Sequence, residues 1–252
     1  MHISSPIRLV QFTDTHLLGA KDAVLRGVQP FATLQAVRNH AARRFTAVDG
    51  VLLTGDLVND DAAGYELIRE TFSSSAVPVY CTTGNHDLPV EMRRTLAAAP
   101  FHLDDHVVLG DWLVVLLDTW LQNNAGGQLG QAQLQRLEAL LQAHPQHHTL
   151  ICLHHHPITM SSHWLDQVGL FDAAAFNDCV ARHSQVRGVL WGHVHQALDQ
   201  MIDGVRYMAT PATCAQFLPQ SYHFAIDSRP PGYRTLELGV DGTIATEVVW
   251  LE

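Results

Sequence analysis

Ile7-Arg8-Leu9-Val10-Gln11-Phe12-Thr13-Asp14-Thr15-His16 is the stretch on which the fold turns. A short, mostly apolar run ends abruptly in an aspartate and a histidine two positions apart. A run of this length suits a buried strand better than a helix. The same figure recurs along the chain. Val48 to Leu53 runs into Gly55-Asp56, and Val77 to Cys81 into Gly84-Asn85-His86-Asp87. Leu113 to Leu117 runs into Asp118, Thr149 to Leu153 into His154-His155-His156-Pro157, and Val186 to Trp191 into Gly192-His193. Near-continuous apolar runs are what strands covered on both faces require.

Helix-period segments lie between several of these runs. Pro30 to Phe45 repeats apolar residues at Phe31, Leu34, Val37 and Ala41, and Gln131 to Ala143 places Leu134, Leu137, Leu140 and Leu141 on one face. Gly64 to Phe72, Pro89 to Ala99 and Asp172 to Arg182 are further helices, with Asp172 positioned as a cap. Alternating strand and helix points to an α/β layered fold. After His195 the texture changes. Gln196 to Met208, Tyr222 to Ile226, Tyr233 to Leu238 and Thr243 to Trp250 read as strands, the last two joined at an Asp241-Gly242 turn. A chain that begins α/β and ends as a meander predicts two sheets packed face to face. No repeat and no Pro/Gly/Ser-rich linker divides it, so residues 1–252 read as one domain.

Composition narrows the function. The chain has 252 residues, 47% apolar and 16% charged, which excludes disorder and a small disulfide scaffold. No apolar run reaches the roughly 20 residues of a membrane span, and no signal peptide is evident, so a cytoplasmic protein with no membrane partner is expected. A formal charge of -10 argues against a nucleic-acid partner. The 17 histidines outnumber the 15 lysines and arginines together, which raises the expectation of a metal site. Cys81, Cys152, Cys179 and Cys214 form no CxxC pair, and no disulfide is expected.

The metal-type residues follow the apolar runs, where open α/β sheets bind ligands. Asp14-x-His16 and His193-x-His195 are i, i+2 pairs, about 6.5–7 Å apart on one side of extended chain. Such pairs chelate one ion if the backbone turns, or straddle two ions about 3.5–4 Å apart. Asp56 can bridge two cations, Asn85 offers an amide oxygen, and His155 an imidazole. Mixed N/O donors suit Mn, Fe, Zn or Co rather than Ca. Asp14 and Asp56 cancel only part of the charge of two divalent ions, which leaves a site suited to an anionic phosphate ester. His40, His144, His147, His148 and His183 match no site and read as surface residues, and Met201 and Met208 as core filling.

Asp14-x-His16, Gly55-Asp56, Gly84-Asn85-His86-Asp87, His155-His156-Pro157 and Gly192-His193-x-His195, in that order, resemble the blocks of the calcineurin-like metallophosphoesterases. The resemblance implies a four-layer α-β-β-α sandwich of two mixed sheets flanked by helices. It implies one metal on Asp14, His16, Asp56 and His195, and a second on Asp56, Asn85, His155 and His193, with a metal-bridging hydroxide as nucleophile. Among the three consecutive histidines the family ligand lies two positions before the proline, hence His155. His86 would face the phosphate as a catalytic and substrate-binding residue beside Asn85, and Asp87 would orient it. Iron with manganese is the expected pair, and zinc or cobalt would also suit these donors.

The second half is more specific. Trp164-Leu165-Asp166-Gln167, Thr210-Pro211-Ala212-Thr213-Cys214 and Gly232-Tyr233-Arg234-Thr235-Leu236 resemble the bacterial class III 3′,5′-cyclic AMP phosphodiesterases. That resemblance implies hydrolysis of cyclic AMP to 5′-AMP and control of a second messenger. The alternative is a broader phosphodiesterase acting on 2′,3′-cyclic nucleotides or glycerophosphodiesters. A non-catalytic module would be expected to lose ligands, and all are present. Selectivity for a nucleoside must come from the walls, where His163 and Trp164, with Trp120, Asn123 and Asn124, are the candidates. The sequence leaves self-association into a homo-oligomer open.

Overall fold

A computed structural model describes residues 5–45 and 47–251. The first half runs β1 (Ile7–Phe12), α1 (Pro30–Arg44), β2 (Gly50–Thr54), α2 (Gly64–Phe72), β3 (Val79–Thr82), α3 (Pro89–Thr95), β4 (Phe101–His102), β5 (His106–Leu109) and β6 (Trp112–Leu116). It continues with α4 (Gly130–Ala143), β7 (His148–Cys152), a short 3₁₀ turn (Leu165–Gln167), α5 (Ala173–Ala181) and β8 (Val186–Trp191). The chain closes with β9 (Leu198–Ile202), β10 (Val205–Ala209), β11 (Gln216–Phe217), β12 (Ile226–Asp227), β13 (Gly232–Leu238) and β14 (Ile244–Trp250).

The larger strands form two mixed sheets, ordered β14-β13-β1-β2-β3-β4 and β5-β6-β7-β8-β10-β9. In the first, β1 to β4 are parallel and β13 and β14 antiparallel; in the second, β6, β7, β8 and β10 are parallel and both edges antiparallel. Strand alternation explains the layers. Leu9 and Leu52 face the other sheet, while Val10, Phe12, Val51 and Leu53 face α1 and α2. In the second sheet Trp112, Val114, Leu116 and Leu150 face inward, and Leu113, Val115 and Ile151 pack against α4 and α5. Three apolar cores between four layers account for the two-sided runs and match the expected α-β-β-α sandwich.

Several elements differ from the sequence reading. Gln196 to Met208 is a hairpin rather than one strand, because Asp203 and Gly204 take left-handed backbone, φ 49° and 85°. Of Tyr222 to Ile226 only Ile226 is in a strand. The terminal strands divide, β9 and β10 extending one sheet and β13 and β14 the other. Asp172 does not cap its own helix: its carboxylate accepts from Leu129 N and Gly130 N, 3.1 and 2.8 Å, at the start of α4. Met208 is core, but Met201 is exposed on the edge strand. His40, His144, His147, His148 and His183 are all half-buried rather than surface residues; His40 meets the Tyr233 hydroxyl, His148 lies against Trp112, and His183 pairs with Glu138. The four cysteines are buried and unbridged. Among the described residues no helix is long and apolar enough to cross a membrane.

Candidate metal centre

The carboxyl ends of β1, β2 and β3 meet those of β7 and β8, and the loops leaving them carry Asp14, His16, Asp56, Asn85, His154, His193 and His195. Five of these residues have left-handed backbone: Asp14 (φ 52°), His16 (46°), Asp56 (50°), His193 (64°) and His195 (47°). Asp and His enter that region more readily than bulky residues, still at a cost on the order of 1 kcal/mol each, and such strain collects at functional sites. The i, i+2 pairs are therefore not extended chain; both members turn. The blocks that contain a glycine need it for close approach. A Cβ on Gly84 would run into Asp56 and His154, and one on Gly192 into Thr13 and Asp14.

The turns aim the side chains at one another. His16 Nε2 and His195 Nε2 lie 3.1 Å apart, and Asp14 Oδ1 lies 3.3 Å from His195 Nε2. Asp56 Oδ2 is 3.6 Å from His16 Nε2 and 3.3 Å from His154 Nε2, between the two groups of imidazoles. His193 turns the other way, its ring 5.1 Å from that of His154 and 4.6 Å from that of His155. The Asp14 pair thus converges on one position, whereas the His193 pair divides between two. The outer ring nitrogens are pinned: His195 Nδ1 donates to Ala215 O (2.6 Å) and His154 Nδ1 to Thr54 O (2.9 Å). A donor at Nδ1 leaves the Nε2 lone pair free to ligate.

Electrostatics agree. Burial opposes ionisation of Asp14 and Asp56, but His195 beside the first and His154 beside the second outweigh it and hold both carboxyls below their usual range. Burial likewise works against charge on His154, yet Asp56 raises it to about 9. Burial, with the nearby His195 and His86, outweighs Asp56 and Asp14 and takes His16 down to about 3. The proton on His154 is then the positive charge these carboxylates retain, in the place where a cation would replace it. Among the described residues, Asn85 Oδ1 and His193 Nε2 are buried with no hydrogen-bond partner, and His154 Nε2 has none besides its 3.3 Å ion pair with Asp56 Oδ2. Each such group costs about 1–3 kcal/mol, and native proteins leave few of them. Orphaned nitrogen and oxygen donors beside ionised carboxylates fit divalent cations.

Two assignments need correction. Asp14, His16, Asp56, Asn85, His193 and His195 stand together, but His154, not His155, is aimed at the carboxylates. His155 has both nitrogens occupied, Nδ1 by Thr119 Oγ1 (2.7 Å) and Nε2 by Ala125 O (3.2 Å). Asp87 does not reach His86. Its carboxylate accepts from Leu57 N, Gly84 N and the Tyr65 hydroxyl, and burial, with the charge of Asp56, pushes it up to about 7. His86 Nδ1 instead meets Asp60 Oδ2 at 2.7 Å, and its side chain is 28% exposed at the rim.

The nucleoside candidates lie nearby. His163 stacks on Tyr222 and Trp164 packs edge-on to Phe217 and Phe224, while Trp120 Nε1 donates to Asp87 O and Asn123 and Asn124 are exposed. The sequence gives no signal for Asp60 or Phe217, and it marks Cys214 only as an unpaired cysteine in a family segment, whereas its Sγ lies within 4.8 Å of ligand nitrogens of His16 and His195. Asp60 follows Asp56 by four positions in an irregular loop, where no period marks it.

Residues 7–197 match the calcineurin-like phosphoesterase family model, and the chain belongs to this family of metal-dependent hydrolases. Within it, the chain is 40% identical over 244 residues to the 3′,5′-cyclic adenosine monophosphate phosphodiesterase CpdA of Vibrio vulnificus, covering 96% of this chain and 89% of that protein. It is 38% identical to the Escherichia coli protein of the same name, with the same coverage. Among solved structures, a dimetal phosphatase from Danio rerio superposes with a TM-score of 0.69 at 14% identity, covering 99% of this chain and 100% of that one, which shows a shared fold.

Proposed function

We propose that the chain hydrolyses 3′,5′-cyclic AMP to 5′-AMP at a dinuclear centre and so sets the level of a second messenger. The substrate rests on the names of relatives aligned over 96% of the chain. The chemistry rests on the orphaned donors Asn85 Oδ1, His154 Nε2 and His193 Nε2, the single observation that carries the reading. Asp14, His16, Asp56 and His195 would hold one ion, and Asp56, Asn85, His154 and His193 the other. Iron and manganese are the proposed occupants. A bound pair of divalent cations supplies Lewis acidity, which makes water nucleophilic near neutral pH and neutralises charge on the phosphoryl oxygens.

The chain's own residues do the rest. Water adds to phosphorus, the P–O3′ bond breaks, and the 3′ oxygen takes up a proton. His86 stands at the rim with Nδ1 held by Asp60, which leaves Nε2 to hydrogen-bond the phosphoryl group or protonate the leaving oxygen. Asn85 offers a preorganised polar group on the same loop.

The test is turnover after metal stripping and reloading with Mn²⁺ or Fe²⁺, with 3′,5′-cyclic AMP, 2′,3′-cyclic AMP and glycerophosphoethanolamine in parallel. Preference in kcat/KM for 3′,5′-cyclic AMP, with 5′-AMP as product, is expected. Faster turnover of another diester would keep the metal chemistry and discard the signalling role.

A further inference from the structure

The loop between β1 and α1 contains a two-residue hairpin turn. Leu25 and Val28 exchange both backbone hydrogen bonds, 2.9 and 3.0 Å, and Arg26 and Gly27 between them have φ of 50° and 83°. Asn-Gly is the ordinary choice for a turn with both central residues left-handed. A long cation at the first position breaks the local rule, and such departures concentrate where a residue serves function. The Arg26 guanidinium lies 5.4 Å over the Phe217 ring, and Phe217 stacks on His195 at 3.8 Å with the rings 9° apart. Arg26 Nη1 is buried and has no partner among the described residues. A guanidinium donates and never accepts, so this nitrogen calls for an acceptor that the described residues do not supply.

The segment under Arg26 is fixed to the metal-type loop. Phe217 N donates to His195 O at 3.3 Å, and β11 pairs with β12 to form a short hairpin. Phe217, Phe224 and Trp164 form a triangle of rings with centroids 5.2–5.3 Å apart. Yet Phe224 is 51% exposed, and Tyr222, stacked on His163 at 4.3 Å, is 65% exposed. A continuous aromatic path therefore runs from His195 out to solvent, with an unsatisfied planar cation above it.

We propose that Arg26 and the aromatic hairpin receive the nucleobase of the diester, with Arg26 the specificity-determining residue. This rests on the cyclic-nucleotide reading above. A purine base offers what this wall lacks: a π face for the rings and guanidinium, and ring-nitrogen acceptors for Nη1. A glycerol or ethanolamine head offers no such face. The phosphate is held elsewhere, so the wall would alter which diester binds more than how fast it breaks.

The experiment compares wild type, Arg26→Ala and Tyr222→Ala, all metal-loaded, on cyclic AMP and on the matching 1-deoxyribose 3,5-cyclic phosphate that lacks the base. The ratio of kcat/KM for cyclic AMP to that for the base-free diester should fall at least tenfold in Arg26→Ala, through KM, and several-fold in Tyr222→Ala, whose exposed ring carries no core. A ratio that holds within twofold in Arg26→Ala overturns the proposal. So does loss of a dimer by light scattering in Tyr222→Ala with the ratio intact, which would make the rings a surface for a second copy. Failure of the wild type to open cyclic AMP sinks the functional reading alone. The wall is then judged by adenosine as a competitive inhibitor of whichever diester is turned over. Inhibition that weakens at least tenfold in Arg26→Ala supports it, and no inhibition of the wild type overturns it.

Discussion

His154 and His155 are adjacent in sequence and face different surroundings. The first ends β7 with Nδ1 held by Thr54 O and Nε2 pointing at Asp56; the second turns to Thr119 and Ala125. If the centre is dinuclear as proposed, His154→Ala is expected to lose one of two bound metal equivalents and on the order of 100-fold in kcat. His155→Ala should keep both. Metal content by mass spectrometry beside turnover checks this, and the reverse pattern would restore the original assignment. Asp60 makes a second prediction. Asp60→Asn should lower kcat roughly tenfold to a hundredfold with metal content retained, because His86 Nδ1 loses the carboxylate that holds it. An unaltered kcat would remove Asp60 from the machinery.

At the scale of elements, α4 and α5 are tied through two carboxylates. Asp172, at the start of α5, closes the first turn of α4, so Asp172→Ala should cost about 1 kcal/mol in urea unfolding. Glu138 on α4 accepts from Arg182 (2.6 Å), His183 (2.9 Å) and the Cys179 thiol (3.3 Å). The Arg182 hydrogen bond, then those of His183 and Cys179, lower its carboxyl to about 2. A depressed carboxyl contributes stability above its unfolded pKa, about 4.3, and loses it as pH falls toward the folded value. The stability gap between wild type and Glu138→Gln should therefore be constant from pH 7 to 5 and shrink between pH 4 and 2. A gap that ignores pH would mean the clamp acts by packing alone.

The whole molecule depends on polar groups buried between the sheets. Arg234 on β13 is 1% exposed and donates across to Thr210 Oγ1, Leu198 O and Ala209 O at 2.8–3.0 Å. Burial pulls its guanidinium down to about 10. Gln11 on β1 bonds Thr54 within its sheet (2.7 Å) and accepts from Thr210 across the gap. This network ties the two sheets together beside the strand ends that carry the metal-type residues. Arg234→Leu removes the donor to Leu198 O, Ala209 O and Thr210 Oγ1 and is expected to cost about 3–5 kcal/mol by chemical denaturation. A loss under 1 kcal/mol would show that apolar packing alone sets the register.

The layered fold was legible because strand covering is a local property. Ile7 to Phe12 and Val186 to Trp191 carry apolar residues on both alternating faces, as a sheet with layers above and below requires. The site was legible where its chemistry is written in short blocks, as in Asp14-Thr15-His16 and Gly84-Asn85-His86. What tertiary structure decided depends on where the two sheets meet. Nothing in three consecutive histidines says which nitrogen will face Asp56, because Thr54, Thr119 and Ala125 come from distant segments. Nothing local says that Asp60 rather than Asp87 holds His86, that Asp172 caps another helix, or that Arg26 lies over Phe217. Periodicity reports how a residue sits on its own element. Side chains that act together are brought into contact by long-range packing, which leaves no period in the sequence.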